Sequence, residues 1–500
     1  MIDKKIKIEV VFIGKPQWEA GWPHIGYNND NLINSIKEHL DSTFTGITFS
    51  YTHLITTYDG DLVNQIKEEI KGSDAVILYT IGHYGDPGIV QAGIEIIESK
   101  KPVILANYIY QGDHTFTKIY SDIKNKGFKV VPISSNKLED FDEPIETVIN
   151  LFKMRGKKIL VYAPEKIRMD WKRILGLFNP ESNRIRKEHP EFLEQVLSMS
   201  SDQEFEFYTD IKGYDQAHQW RRNEEKYKGN LRDLCNIEIV KGDPDEILEY
   251  YDKVDEQEAE IIANKWNKEA LKVEPSQKTI LSSAKIYIAL KSLLKTRNFD
   301  VFTPDCGTFL LTGKLPAYPC LAFMELINDG IYGGCESDLD STVSNVFGLS
   351  LTGRPGFISN HTLDTINNQI TYMHCVAPNK LFGQNGPKSE YEITYHGETH
   401  YLGASPCVKF PIGEMTTTIK ISVLEKKIAI RKGKIIENVV DKRGCVSKML
   451  VKSNVKSVMD NYDWETFGWH RVTFIGDWKD VFIIGAKLLG LEIIEEDESL

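Results

Sequence analysis

The stretch AVILYTIGHYGDPGIVQAGIEIIESKKPVILANY (residues 75–108) determines the fold class of this 500-residue chain. Two apolar runs, AVILYTIG (75–82) and PVILANY (102–108), are typical of buried strands. Between them, IVQAGIEIIESK (89–100) carries its apolar residues at helical spacing. A strand, a helix and a second strand in succession predict a βαβ unit on a parallel sheet.

The same alternation of strand-like and helix-like segments extends over the first 155 residues. IKIEVVFIG (6–14) and FKVVPIS (128–134) predict further strands, and NLINSIKEHL (31–40) predicts a helix. A new apolar run, KKILVYA (157–163), begins a second series of such segments. From about residue 352 the pattern changes, and TTTIKISVLEKKIAIRKGKIIENVV (416–440) alternates apolar and polar residues as antiparallel strands do.

These patterns predict an α/β protein with three domains. The first two, over residues 1–155 and 156–352, are expected to be open parallel sheets of the Rossmann or flavodoxin type. The third, over residues 353–500, is expected to be rich in β-strands. Within it, the lysine-rich hairpin at 425–434 is predicted to be a solvated strand face.

Composition narrows the classes of function. The chain is 41% hydrophobic and 26% charged, which is typical of a soluble globular protein. A net charge of −12 argues against nucleic acid as a partner, because phosphate binding needs a basic surface. There is no apolar run long enough for a membrane span and no CxxC pair among the seven cysteines, and the first residues, MIDKKIKIEVVFIG, predict a strand rather than a secretory signal. A cytoplasmic protein with reduced thiols is expected.

The segment YGGCESDLDS (332–341) crowds three carboxylates behind two glycines. Asp338 and Asp340 are most simply explained as acids at the start of a helix, where the helix dipole stabilises negative charge. Glu336 taken alone is most simply explained as a surface acid, with a role in a metal site as the alternative. Cys335 is interpreted as a small buried hydrophobic residue.

Three later stretches place a histidine or an amide beside a predicted strand end: SNHTLD (359–364), TYMHCVAP (371–378) and FGWHRVTFIGD (467–477). With Glu336, residues Asn360, His374 and His470 would provide one carboxylate, one amide oxygen and two imidazoles. Such oxygen and nitrogen ligands suit Mn²⁺, Fe²⁺, Co²⁺ or Zn²⁺. Each histidine could equally be an ordinary strand or turn residue, since nothing in the spacing brings the four together.

Five motifs together resemble the L-fucose/L-arabinose isomerase family, and more narrowly its fucose-isomerase-like branch. They are DCGTFL (305–310), PCLAFMELINDGIYGGCESDLDS (319–341), GRPGFISN (353–360), MHCVAP (373–378) and GWHRVTFIGD (468–477). The resemblance implies a cytosolic homo-oligomer, trimeric or hexameric, that interconverts aldose and ketose monosaccharides. It also implies a divalent metal cofactor, Mn²⁺ first, with Co²⁺, Fe²⁺ or Mg²⁺ as alternatives.

By position, the resemblance assigns roles to four residues. Glu336 matches the family's first metal carboxylate, which also exchanges protons with the substrate. His470 matches the histidine ligand of the last domain, and His374 matches a further histidine ligand on the arabinose-isomerase side. Asn360 stands where the family has a second carboxylate.

Asn360 is a departure from the family pattern. An amide can ligate a metal through its oxygen, but it cannot take up a proton. The enediol mechanism that the resemblance implies needs a second acid–base group, which leaves Glu336 to act with a metal-bound water, Asp338 or Asp364. The leading hypothesis is a metal-dependent aldose–ketose isomerase. An epimerase of the same fold and a non-catalytic sugar-binding protein are the alternatives.

Three residues are candidates for sugar contacts. In the family, residues after the first strand reach a neighbouring subunit's active site, which points to Gln17 and Trp18 in KPQWEAGW (15–22). Trp469, beside His470, is a candidate aromatic wall. An amide suits sugar hydroxyls and an indole suits a sugar face, although simple packing would also explain these residues.

Overall fold

A computed structural model of the chain describes residues 5–15, 24, 26–82, 86–163, 167–168, 204–205, 219–307, 309, 315–397 and 403–499. The chain divides into two compact units, one formed by Met1–Lys153 with Asp480–Ile493 and the other by Met154–Lys479 with Ile494–Leu500. The predicted boundary after residue 155 lies close to the end of Lys153. The predicted boundary after residue 352 lies inside the second unit, and the three-domain division stays a prediction.

The first unit alternates strands and helices along the chain. Its elements are β1 (Lys7–Ile13), α1 (Asn29–Thr43), β2 (Thr48–Ile55), α2 (Gly60–Lys71), β3 (Ala75–Thr80), α3 (Pro87–Ile97), β4 (Val103–Tyr108), α4 (Asp113–Ile123), β5 (Val130–Ser135) and α5 (Asp142–Phe152). All five strands are parallel, in the order β2-β1-β3-β4-β5. The predicted βαβ unit at 75–108 is therefore confirmed as β3, α3 and β4.

Local sequence explains where α3 begins. Asp86 caps the helix by accepting a hydrogen bond from the amide of Gly88, and Pro87 occupies the first turn, where its missing N–H costs nothing. Side chains from strand and helix then form one core: Val11, Leu78 and Leu105 from the sheet and Ile66 and Ile96 from helices.

The second unit begins with a short parallel sheet and its helices. Its elements up to Thr352 are β6 (Lys158–Tyr162), β7 (Ile167–Arg168), β8 (Glu204–Phe205), α6 (Glu224–Cys235), β9 (Glu238–Lys241), α7 (Asp245–Asp252), α8 (Glu256–Glu269), α9 (Gln277–Arg297), β10 (Val301–Pro304), α10 (Cys320–Asn328), β11 (Tyr332–Gly333) and α11 (Leu339–Thr352). Four strands are parallel in the order β11-β10-β6-β9, which confirms a second α/β region.

The remaining elements are mainly antiparallel strands. They are β12 (Phe357–Asp364), β13 (Gln369–His374), β14 (Tyr391–Thr394), β15 (Ser405–Val408), β16 (Met415–Ser422), β17 (Lys427–Asn438), β18 (Ser447–Lys452), α12 (Val455–Asp460), α13 (Trp464–Phe467), β19 (Arg471–Ile475), α14 (Lys479–Leu489) and β20 (Glu492–Glu495). The β-rich character predicted for this part of the chain is confirmed.

Six of these strands close into an antiparallel barrel, which the sequence patterns do not predict. The order is β16-β19-β12-β13-β18-β17, and β17 pairs back onto β16. Closure is achieved because β17 is long enough to pair with β16 along its first part and with β18 along its last, with a register shift between Ile435 and Glu437. β20 adds to the free side of β17.

Closure buries one face of the barrel strands, so the hairpin prediction at 425–434 is only partly right. Lys432 and Lys434 are exposed as predicted. Arg431, however, is fully buried, and its guanidinium lies 3.0 Å from a carboxylate oxygen of Glu496. Among the described residues, no helix combines the length and apolar character needed to cross a membrane.

A glycine lets helix α11 lie directly against the barrel. A Cβ atom on Gly348 would stand 2.1 Å from the ring of Phe474 on β19, so no larger residue fits there. The helix ends at Gly353, whose φ of +67° suits glycine at a helix C-terminus. This packing brings the start of α11 beside strands β16 and β19, where the candidate site lies.

Candidate metal centre

Glu336 lies just beyond the carboxyl end of β11, in a turn of unusual backbone geometry. Glu336 and Ser337 both have positive φ values, 59° and 48°, which are uncommon for residues other than glycine. The turn is held by hydrogen bonds from the Ser337 amide to the Pro304 carbonyl (3.0 Å) and from the Trp220 indole to the Ser337 carbonyl (3.2 Å). Strained backbone of this kind is concentrated at functional sites.

Two imidazoles face the Glu336 carboxylate. His374 Nε2 lies 3.7 Å from one carboxylate oxygen and His470 Nε2 lies 3.6 Å from the other. Both histidine side chains are 1% exposed, whereas that of Glu336 is 39% exposed. The carboxylate therefore reaches solvent while the imidazoles form the buried wall behind it.

The separations match a shared ion better than direct hydrogen bonds. Neither distance is short enough for a hydrogen bond. Atoms that bind one ion at about 2.0–2.2 Å lie roughly 3–4 Å apart, and both distances fall in that range. Both ring nitrogens of His374 and Nε2 of His470 have no hydrogen-bond partner among the described residues. Because buried nitrogens rarely stay unpaired, the imidazoles suit a divalent ion, and Cys335, Glu336 and His374 are the set whose ligand atoms all lie within 4.8 Å of one another.

Asp338 orients His470 from behind. His470 Nδ1 lies 2.9 Å from Asp338, whose carboxylate can only accept, so Nδ1 donates this hydrogen bond and Nε2 is the nitrogen that faces Glu336. The ammonium group of Lys420 donates to both oxygens of Asp338 at 3.0 and 2.8 Å. This carboxylate–histidine pair is the arrangement that commonly fixes the tautomer of a metal ligand.

The prediction that Asp338 and Asp340 start a helix is confirmed. Asp338 caps α11 by accepting from the Ser341 amide at 2.8 Å, and Asp340 lies in the first turn. Both are buried rather than on the surface. Asp340 accepts hydrogen bonds from the Tyr227 hydroxyl at 2.9 Å and from the Val423 amide at 3.2 Å.

Burial and neighbouring charges set the protonation of the centre. Burial opposes ionisation of Asp338, but the positive charge of Lys420 and the hydrogen bond from His470 outweigh it and hold the pKa of that carboxyl well below its usual range. Burial lowers the pKa of His374 to about 3, so this imidazole is neutral and able to ligate. Burial raises the pKa of Asp340 to about 6, with Asp338 adding to the effect against the opposing charge of Lys420.

Asn360 and Trp469 lie beside His470 in the barrel. The ladder between β12 and β19 ends at the pair Ser359 and Arg471, so Asn360 and His470 are the next residues along the two strands. Trp469 and His361 are the pair after that, and the Trp469 indole donates a side-chain hydrogen bond to the His361 carbonyl at 2.7 Å. No hydrogen bond of the Asn360 side chain is found in the described part of the chain. Ligation by Asn360 and a sugar contact by Trp469 stay predictions.

Other sequence-based candidates lie elsewhere. Asp364 accepts hydrogen bonds from the amides of Ile366 and Asn367 at the turn between β12 and β13. That turn is four residues along β12 from Asn360, about 13 Å away, so Asp364 is not placed to act with Glu336. Gln17 and Trp18 lie outside the described residues.

Sequence reasoning did not include Cys335 among the candidate ligands. It is buried as expected, but its sulfur, a carboxylate oxygen of Glu336 and a ring nitrogen of His374 lie within 4.8 Å of one another. The sulfur also lies 3.1 Å from that of Cys306. In the sequence, the feature that could have pointed to Cys335 as a ligand is its position directly after two glycines and directly before Glu336.

The fold and the site together define an α/β protein with a candidate divalent-metal centre between a parallel-sheet edge and an antiparallel barrel. The chain matches no protein-family model and no curated protein. The function is therefore inferred from the geometry of the centre and from the resemblance in its motifs.

We expect Asp338→Asn to weaken divalent-ion binding by about 10–100-fold, the usual cost of losing a residue that orients a metal ligand. The amide of asparagine carries no charge and can donate as well as accept, so it holds His470 Nδ1 in place less firmly than the Asp338 carboxylate does. Calorimetric titration of the folded protein with Mn²⁺ or Zn²⁺ measures this. Asp340→Asn is the matched control, because Asp340 is buried on the same helix and has no bond to His470. Equal loss in both variants would contradict an orienting role for Asp338.

Asp340 should also make stability depend on pH. Its pKa of about 6 in the folded chain lies above the value of about 3.9 expected on unfolding. The folded chain therefore retains the proton longer, and the contribution of Asp340 to the free energy of unfolding falls as pH rises through that window. Relative to wild type, Asp340→Asn should gain up to about 3 kcal/mol between pH 4 and 7, measured by urea unfolding. A pH-independent difference between the two proteins would be the contrary result.

Proposed function

We propose that this protein is a metal-dependent aldose–ketose isomerase acting on a monosaccharide. The observation that carries the proposal is the Glu336 carboxylate placed between Nε2 of His374 and Nε2 of His470. The motif resemblance supports it, and so does the order β2-β1-β3-β4-β5, which is that of flavodoxin-like sheets. A cytoplasmic location and a trimeric or hexameric assembly belong to the proposal through the resemblance alone.

Glu336, His374 and His470 would hold the metal ion, with Asn360 as a further candidate ligand. When bound, the ion would supply Lewis-acid polarisation of the carbonyl group of the open-chain sugar. Neutral imidazoles suit this task, and His374 is neutral because of its burial. Asp338 keeps His470 in the required tautomer.

Glu336 is the residue placed to move the proton. Its side chain is partly exposed, so a sugar can approach it from solvent. As a base it would take the proton from C2 of the open-chain aldose and return it to C1, while the proton of the O2 hydroxyl passes to O1, which converts the aldose to a ketose through an enediol. His374 and His470 line the buried side of the carboxylate.

The test is a panel of aldoses and ketoses incubated with the full-length, Mn²⁺-loaded protein in D₂O. We expect deuterium at C1 or C2 of one sugar, together with formation of its isomer. A chelator should stop the exchange, and added Mn²⁺ should restore it. Absence of exchange with every sugar and metal would refute the isomerase proposal.

The same experiment separates the alternatives. Deuterium at a carbon whose configuration inverts, without a change between aldose and ketose, would identify an epimerase. Asn360 keeps this alternative open, because it offers no second carboxylate beside His470. Sugar affinity without any exchange would identify a binding protein.

A further inference from the structure

We infer that Cys335 supplies a thiolate to the metal centre, so that the site takes a thiophilic divalent ion such as Zn²⁺, Co²⁺ or Fe²⁺ in preference to Mn²⁺ or Mg²⁺. The inference rests on the metal-dependent function proposed above and specifies its metal.

The ligand atoms of Cys335, Glu336 and His374 form one cluster, within 4.8 Å of one another. Consecutive side chains of an extended strand point to opposite faces and cannot share a ligand. The left-handed conformation at Glu336, with φ of 59°, breaks that alternation. It allows Cys335 and Glu336 to approach the same imidazole although they are neighbours in sequence.

Cys335 and His374 both line one small cavity. Its volume is about 10 Å³, and Tyr332 is the further lining residue whose side chain can bind a metal; the rest of the wall includes Ile358 and Val376. That volume is enough for one water-sized particle. Both ring nitrogens of His374 are buried there without a hydrogen-bond partner among the described residues. An ion bound to the Cys335 sulfur would satisfy the one ring nitrogen that it contacts.

Charge balance favours a second anionic ligand. The negative charge of Asp338 is already matched by Lys420, which lies 2.8 Å away with both side chains 1% exposed. Glu336 then provides one negative charge against the two of the ion, whereas an amide or imidazole ligand provides none. A thiolate at Cys335 would balance the second charge, so that the cluster of Cys335, Glu336 and His374 is neutral with a divalent ion.

The binding step is balanced in atoms and charge. The metal–sulfur bond forms as the S–H bond of Cys335 breaks, and the proton leaves to solvent, as for any thiol ligand. The thiol of Cys306, 3.1 Å away, can donate a hydrogen bond to the resulting thiolate. Thiolate ligands favour Zn²⁺, Co²⁺ and Fe²⁺, whereas Mn²⁺ and Mg²⁺ favour oxygen. The sequence analysis expects Mn²⁺ first; with a thiolate ligand, Zn²⁺, Co²⁺ or Fe²⁺ is expected in its place.

Cobalt substitution of the full-length protein tests this directly. We expect Co²⁺ to produce a near-ultraviolet thiolate-to-cobalt charge-transfer band that is absent in Cys335→Ser and Cys335→Ala. The ratio of Zn²⁺ to Mn²⁺ affinity should fall about tenfold or more in both variants, since losing a ligand costs at least as much as losing a residue that orients one. Two variants are used so that misfolding of one does not decide the result.

Cys320→Ser is the matched control. Cys320 is buried like Cys335 but is not a member of the ligand cluster, so its variant should keep the band and the affinity ratio. Co²⁺ bound at wild-type affinity in Cys335→Ser with an unchanged spectrum would overturn the thiolate ligand alone. Failure of the wild-type protein to bind any divalent ion would overturn the proposed function as well.

Discussion

Replacing Glu336 by glutamine should reduce turnover by about 10²–10⁴-fold, the usual contribution of one acid–base group. Glutamine has nearly the same shape and keeps an oxygen that can ligate, but it cannot accept the substrate proton. The Glu336 side chain is partly exposed and does not cap helix α11, which Asp338 does, so the fold should be unaffected. The measurement is kcat together with deuterium exchange into the sugar, at a metal content matched to wild type.

A matched acid elsewhere on the same unit controls for loss of charge. Asp364→Asn removes a carboxylate at the far turn of the β12–β13 hairpin and should leave kcat unchanged. Turnover of Glu336→Gln within tenfold of wild type would mean that another group moves the proton. A comparable loss in Asp364→Asn would show that the distant turn matters, contrary to the geometry.

The regular elements could be predicted because their signals are local. The βαβ unit at 75–108 combines apolar runs, helical spacing and the Asp86–Pro87 helix start within one short stretch. Barrel closure could not be predicted in this way. Strand β16 (Met415–Ser422) pairs with β19 (Arg471–Ile475) across the intervening residues 423–470, which carry their own strands. An alternating pattern indicates a strand, but it does not indicate which strand will be the partner.

The same limit explains which site residues were found. Glu336, His374 and His470 have side chains whose chemistry suggests a metal, so their types and motifs identify them. Lys420 does not: in TTTIKISV it looks like a polar residue on the wet face of a strand. Barrel closure and helix α11 bury that face, so Lys420 becomes a 1%-exposed partner of Asp338. Its role follows from tertiary packing, which local patterns do not encode.

Replacing Lys420 by methionine should lower the free energy of unfolding by about 3–5 kcal/mol near neutral pH. The variant keeps the packing of the side chain but leaves Asp338 charged and buried, with His470 and Ser341 as its nearest remaining polar side-chain partners. Because the pKa of Asp338 should rise without Lys420, the loss should grow as pH rises above about 4 and diminish in acid, where the carboxyl is protonated. Urea unfolding between about pH 4 and 8 measures both effects.

Lys432→Met is the control, since the Lys432–Asp477 pair is exposed and should contribute less than about 1 kcal/mol. In the double variant Lys420→Met/Asp338→Asn, removal of the uncompensated charge should restore part of the stability. Equal losses of unfolding free energy in Lys420→Met and Lys432→Met would show that the buried Lys420–Asp338 pair does not stabilise the start of helix α11.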